Sequence, residues 1–211
     1  PSCCKRNTKD NKPNMTISKK LSKLQLISGT KVCEIFDALY PDILDIEYSS
    51  ESEFMAALWS RYTPESSVLN GSVFEGLLAI IFYRSGIIPL YVQAKLSFVP
   101  NVDFDFVAYS KEFGPIVLSA KTSLRERYKQ ADLEGMMLRQ GHRKSKSYLI
   151  TLNEIEAKTV NQKIKEGLVL GLDDIVVATD QKFDALIAEL KELSYYAPNK
   201  IDVLVSSRLI K

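Results

Sequence analysis

The stretch Asn101–Lys121, NVDFDFVAYSKEFGPIVLSAK, decides how this chain is read. NVDFDFVAYS alternates polar and apolar residues, the pattern of a strand with one face given to something polar. KEFG is a turn signal, and PIVLSAK is an apolar run short enough for a mostly buried second strand. The two strands make a hairpin. With its turn centred near Glu112, residue 105 falls opposite 119 and residue 103 opposite 121. Residues two apart in a strand share a face, so Asp103, Asp105, Ser119 and Lys121 converge on one side. A surface ladder of paired charges would have the same pattern. So would the start of a phosphodiester-cleaving site, which needs carboxylates for a metal and a cation near the phosphate or the attacking water.

Outward from the hairpin the pattern stays regular. Upstream, NGSVFEGLLAIIFYRSG (70–86) reads as a helix opened by Asn/Ser capping residues and closed by Gly86. IPLYVQAKLSF (88–98) reads as a strand. Downstream, TSLRERYKQADLEGMMLRQ (122–140) reads as a helix with Thr122 or Ser123 at its cap. SYLITL and DDIVVATD read as strands, NEIEAKTVNQKIKEG and QKFDALIAELKEL as helices. The order helix, three strands, helix, strand, helix, strand is an α/β layer plan. Residues 21–62 read as helical in pieces. Residues 1–20 are polar and basic, and are expected to be a disordered tail or a nucleic-acid-touching arm. Residues 21–211 are expected to be one domain with its catalytic core at about 70–180.

Composition narrows the classes. The chain has 211 residues, 45% apolar and 26% charged, the range of an ordinary globular protein. The longest apolar run, GLLAIIFY, is far too short for a membrane-spanning helix. No stretch resembles a secretory signal. Cys3, Cys4 and Cys33 make no disulfide framework, and with His142 the only histidine a structural zinc site is not expected. A cytoplasmic location fits these features. The net charge of +2 is unevenly spread. Lys121–Lys146 carries eight basic residues against three acidic, and 1–20 carries six against one, so the rest is acidic. A basic strip on an acidic body suits a polyanionic partner, although a solvated helix and tail would also account for it.

The residues after the hairpin carry a resemblance. Ser119-Ala-Lys121 is followed by twelve residues and then Glu134, and Arg125-Glu126-Arg127 lies between. Asp, hairpin and Ser-x-Lys-x12-Glu resemble the site of the PD-(D/E)XK superfamily in one branch of type II restriction endonucleases. In that branch a serine replaces the usual second acid, and the missing acid comes from the following helix. The chain is similar over about 70–180 to the group of the EcoRII catalytic domain, PspGI and NgoMIV, which recognises CC and GG doublets.

The resemblance implies an αβββαβ core with a mixed central sheet flanked by helices, here with an added N-terminal helical segment. It implies Asp105 as the central metal-binding acid, with Asp103 as the competing candidate, Lys121 as the catalytic lysine and Glu134 as the displaced metal-ligand acid. Glu75 matches the additional upstream acid. Ser119 marks the substituted position. The cofactor implied is Mg2+, and the partner double-stranded DNA, cut at a palindrome by a homodimer.

Arg125-Glu126-Arg127 also has a direct physical case. Arginine can donate two hydrogen bonds to guanine, and glutamate can accept from cytosine N4. A self-neutralising surface cluster is common on helices but does not explain a start four residues after Lys121; the resemblance implies that the triplet reads the bases. Arg143 and Lys144, with Arg139 and Lys146, are expected to meet phosphates or to solvate a loop. His142 is expected in a loop, Trp59 in packing, and Tyr195 and Tyr196 in the core or an interface. A structure-selective repair nuclease of the same fold and a non-catalytic DNA-binding protein are the alternatives.

Overall fold

The hairpin is present in the computed structural model, which describes residues 15–198 and 204–211. Strand β2 (Phe104–Ser110) pairs antiparallel with β3 (Gly114–Lys121), Phe106 opposite Leu118 and Ser110 opposite Gly114. The same register carried on sets Asp105 against Ser119, as a turn centred on Glu112 requires. Gly114 (φ +74°) takes the left-handed conformation that closes this turn. The half-polar expectation for β2 is corrected: every residue of the strand is buried, because helices cover both faces of the sheet. Asp105 is therefore a charged residue inside a packed strand, and Asp103 lies just outside it.

β1 (Leu90–Leu96) adds antiparallel to β2. β4 (Lys146–Thr151) and β5 (Asp174–Val177) follow β3 in parallel. A sixth strand, β6 (Leu204–Ile210), which the pattern reading did not assign, pairs antiparallel with β1. The sheet is mixed and six-stranded, in the order β5-β4-β3-β2-β1-β6. This is the expected α/β architecture, a mixed central sheet between helices.

Four helices precede the sheet: α1 (Ile17–Lys23), α2 (Thr30–Leu39), α3 (Glu51–Arg61) and α4 (Ser67–Arg84). Helix α1 begins inside the stretch read as a tail, with Ile17 and Leu21 buried; residues 1–14 lie outside the described residues. Helix α4 starts three residues before Asn70. Ser66 caps it by accepting from the Leu69 N–H (3.3 Å), while the Asn70 amide oxygen accepts from the Tyr62 hydroxyl and the Glu65 N–H. Val73, Phe74 and the run Leu77–Phe82 are all buried, so α4 is wrapped on every side. One side meets the sheet, where Phe82 and Phe106 contact edge to face at 5.3 Å. The other is covered by α2 and α3, where Trp59 packs on Phe74 and so has the structural role expected of it.

α5 (Arg127–Gly141) and α6 (Glu154–Lys165) cover the opposite face, with Leu124, Tyr128, Ala131, Leu149, Ala157 and Ile175 in their core. α7 (Gln181–Lys191) returns to the α4 side, where Phe183 and Ile187 join the main core. Two glycines lock α5 onto the loop before β5. A Cβ at Gly135 would run into the Gly171 carbonyl, and one at Gly171 into the Asp132 carbonyl. Asp132 Oδ1 ties the contact by accepting from the Leu170 N–H (2.8 Å) and the Gly171 N–H (2.5 Å). No described helix is long and apolar enough to cross a membrane.

Candidate active site

Asp105 and Lys121 meet where β2 begins and β3 ends. Lys121 Nζ donates to Asp105 Oδ2 at 2.7 Å, and the Ala120 N–H donates to the same oxygen at 2.8 Å. The Asp105 side chain is only 8% exposed and that of Lys121 24%. Both bonds converge on Oδ2, which turns the carboxylate in a fixed direction.

Two further carboxylates surround this pair. Glu75 comes from α4, where Gln93 Nε2 donates to its Oε2 at 2.9 Å. Burial pushes the Glu75 carboxyl up to about 7; the charge of Asp105 adds to the rise, and Lys121, Gln93 and Arg208 oppose it. Glu134 comes from α5, one turn after Gln130, whose Nε2 donates to Glu134 Oε1 at 2.7 Å. Burial also raises the Glu134 carboxyl. Gln130 and Lys121 pull it back, and the charges of Asp105 and Asp103 add to the rise. Glu75, Asp105, Lys121 and Glu134 thus act on one another electrostatically, although they come from four different elements.

Asp103 behaves differently from Asp105. It pairs with Lys95 at 3.4 Å, both side chains about half exposed. The pair lies near Glu134 but is solvated. Of the two acids, Asp105 is the one fixed beside Lys121. Ser119 is buried.

The Arg125-Glu126-Arg127 triplet straddles the start of α5: Arg125 and Glu126 precede the helix and Arg127 is its first residue. The expected helix start at Thr122 or Ser123 is displaced to Arg127, with Glu126 at the cap position. The cause is a tertiary anchor. Leu124 is fully buried, and its N–H donates to Glu156 Oε2 of α6 at 2.6 Å. Arg125 then turns through the left-handed region (φ +35°), and the Arg127 N–H closes the turn on the Leu124 carbonyl (2.6 Å). All three side chains are exposed. Glu126 pairs with Lys129, whose hydrogen bond holds its carboxyl below the usual range. Arg127 borders a cavity of about 250 Å3 that it shares with Lys121, Thr122, Ser72 and Glu75.

Arg143 and Lys144 are not brought to this place. They sit in the loop after α5, beside the start of β4, whereas the carboxylates gather at the other end of the sheet. The length of α5, about 22 Å for its fifteen residues, separates the two ends. Arg139 and Lys146, in the same region, are engaged by Asp173 at 2.8 and 3.3 Å. His142 packs against Phe98, with ring centroids 4.8 Å apart. Tyr195 donates to the Leu190 carbonyl (2.8 Å), and Tyr196 lies edge-on to Tyr109.

Among the described residues no ready-formed group of three or more His, Cys, Asp or Glu side chains stands as a metal cluster. The donor chemistry nevertheless fits a hard divalent cation. Asp105 and Glu134 offer carboxylate oxygens, and Mg2+ commonly takes only one or two of these and keeps its remaining waters. Burial above all, and then the negative charge of Asp105, raises the carboxyls of both Glu75 and Glu134.

Pattern reading missed Gln93, Arg208 and Glu156. Gln93 takes a left-handed conformation (φ +52°) within β1, at the start of a register irregularity between Val92 and Lys95. No local residue pattern announces that bulge.

No protein-family model and no curated protein sequence matches the chain. The fold is similar to that of a solved structure described as a restriction endonuclease PspGI–substrate DNA complex. The TM-score is 0.52 and the identity 18%, over 80% of this chain and 81% of that one. The likeness is one of fold: a restriction-endonuclease-like sheet with its flanking helices.

Proposed function

We propose that the chain is a type II restriction endonuclease of the PD-(D/E)XK superfamily. It cuts double-stranded DNA in a Mg2+-dependent, sequence-specific reaction at a palindrome containing CC and GG doublets. The observation that carries this reading is the 2.7 Å Lys121–Asp105 pair at the open end of the hairpin, with Glu75 and Glu134 beside it. A solvated charge ladder would leave Asp105 exposed; here it is buried in a strand whose other residues are packed. The likeness to a DNA-cleaving fold supports the same reading.

The roles follow from position. Asp105 and Glu134 would hold Mg2+, which supplies Lewis-acid stabilisation of the phosphate and acidifies a bound water. Lys121 presents its ammonium next to Asp105, where it can hydrogen-bond a phosphate oxygen or orient the attacking water. Glu75 has a carboxyl tuned to about 7, so it can take up or release a proton near neutral pH. Attack by water forms one P–O bond and breaks another. Arg125 and Arg127 can each give guanine two parallel hydrogen bonds, and Glu126 can accept from cytosine once it leaves Lys129. A palindrome read by one copy per half-site makes the working unit a two-fold homodimer.

Incubation with plasmid DNA and Mg2+, followed by sequencing of the ends, tests this reading. It predicts ends that share one palindrome with CC and GG. Ends with no common sequence would favour the structure-selective nuclease, and intact DNA the non-catalytic binder.

A further inference from the structure

Glu75 and Ser72 line two cavities. One is the space of about 250 Å3 reaching to Lys121 and Arg127. The other, about 270 Å3, extends the opposite way to Gln93 and Arg208, with Ser28 at its side. Glu75 and Ser72 are the wall that the two share, with Lys121 and Arg127 lining the first cavity and Arg208 the second.

Arg208 stands on β6 opposite Val92 of β1. Its Nη1 is buried and has no hydrogen-bond partner. A buried charged donor without an acceptor is costly, so its persistence calls for an explanation. Burial lowers the guanidinium pKa, and the charge of Glu75 opposes that shift. The bulge at Gln93 gives Glu75 an amide partner at 2.9 Å, and Arg208 Nη1 remains without an acceptor. An oxyanion entering the second cavity would meet the Arg208 side chain, which lines it. A guanidinium lining a polar cavity suits a phosphate, whose oxygens accept parallel N–H bonds.

We propose that Arg208 binds a backbone phosphate of the DNA strand being cut, next to the phosphate attacked at Lys121. The anion's identity rests on the nuclease reading; the unpartnered donor and the cavity beside it do not. Strand β6, outside the core that the motifs mark, thereby becomes a phosphate clamp that holds the strand along Glu75. Arg208 is a positioning residue here, not a reader of bases.

The test is the salt dependence of binding of a mixed-sequence DNA duplex to the full chain, with Ca2+ in place of Mg2+. In Arg208→Gln the slope of log K against log salt should fall by about one. The affinity lost between 50 and 200 mM salt should then shrink by about three- to fourfold. Arg208→Lys should restore most of the slope, and neither variant should change preference among sequences. An unchanged slope in a folded Arg208→Gln overturns the proposal. If that variant does not fold, phenylglyoxal modification of the wild-type chain decides: DNA should protect Arg208, and unprotected modification overturns the clamp. The nuclease reading fails separately, if the slope changes as stated while Mg2+ yields no cleavage.

Discussion

Lys121 Nζ lies 2.7 Å from Asp105 Oδ2, while Asp103, two residues before Asp105, pairs with Lys95. Sequence alone leaves the two acids almost equivalent, since they flank Phe104 in D-F-D. The start of β2 at Phe104 separates them: Asp105 is carried into the packed sheet, and Asp103 is left in solvent beside Lys95. Asp105→Asn should therefore lower the single-turnover cleavage rate by about 10²–10³-fold, the scale of losing one preorganised electrostatic partner. Asp103→Asn should leave it within a few-fold, because exposed ion pairs contribute little. The reverse order of effects would reassign the central acid.

Arg127 borders the cavity that holds Lys121, and no acid pairs with it among the described ion pairs. Arg127→Ala should reduce discrimination between the mapped site and a singly mismatched site by about 1–3 kcal/mol. Competition binding on the two duplexes measures this. Equal loss on both would make Arg127 a phosphate contact.

Gly135 and Gly171 hold α5 against the loop before β5. Gly135→Ala places a methyl group against backbone that cannot swing aside. It should destabilise the fold by about 1–3 kcal/mol, read as a lowered urea midpoint. Gly71→Ala, where a Cβ meets open space, should have far less effect.

Glu75 titrates near 7 in the folded chain against an ordinary value of 4.5. Across that window the folded chain keeps a proton that the unfolded chain gives up, so stability falls as pH rises from about 4.5 to 7. The loss above pH 7 is roughly 3 kcal/mol at most, less where water screens the half-buried carboxyl. Thermal unfolding in EDTA should show Glu75→Gln more stable than the wild type at pH 8, with the gain vanishing near pH 4. A gain that does not depend on pH would mean that the wild-type carboxyl is not perturbed.

The hairpin and the αβββαβ order were legible because they rest on local signals: alternation, the turn around Glu112, and apolar periodicity. The start of α5 was not, because Leu124 is anchored by Glu156, 32 residues away, and a local capping pattern at Thr122 cannot anticipate that bond. β6 pairs with β1 from more than a hundred residues away, and its LVSSRLI has no regular alternation to mark it as a strand. Asp103 and Asp105 needed the strand boundary, and Gln93 and Arg208 needed the bulge. Lys121 was legible from the hairpin spacing, Glu75 and Glu134 only through the resemblance; in the fold Lys121 bonds Asp105, whose charge also acts on both glutamates. Arg143 and Lys144 were chosen for charge, which says nothing about which end of α5 they occupy.

The most direct measurement compares plasmid cleavage in Mg2+ by the wild type and by Lys121→Ala, with duplex binding in Ca2+ followed in parallel. The wild type should cut at a single sequence. Lys121→Ala should bind the same duplex within a few-fold and cut it at least about 10²-fold more slowly. Cleavage by Lys121→Ala at the wild-type rate would contradict the site, and absence of cleavage by the wild type would contradict the function.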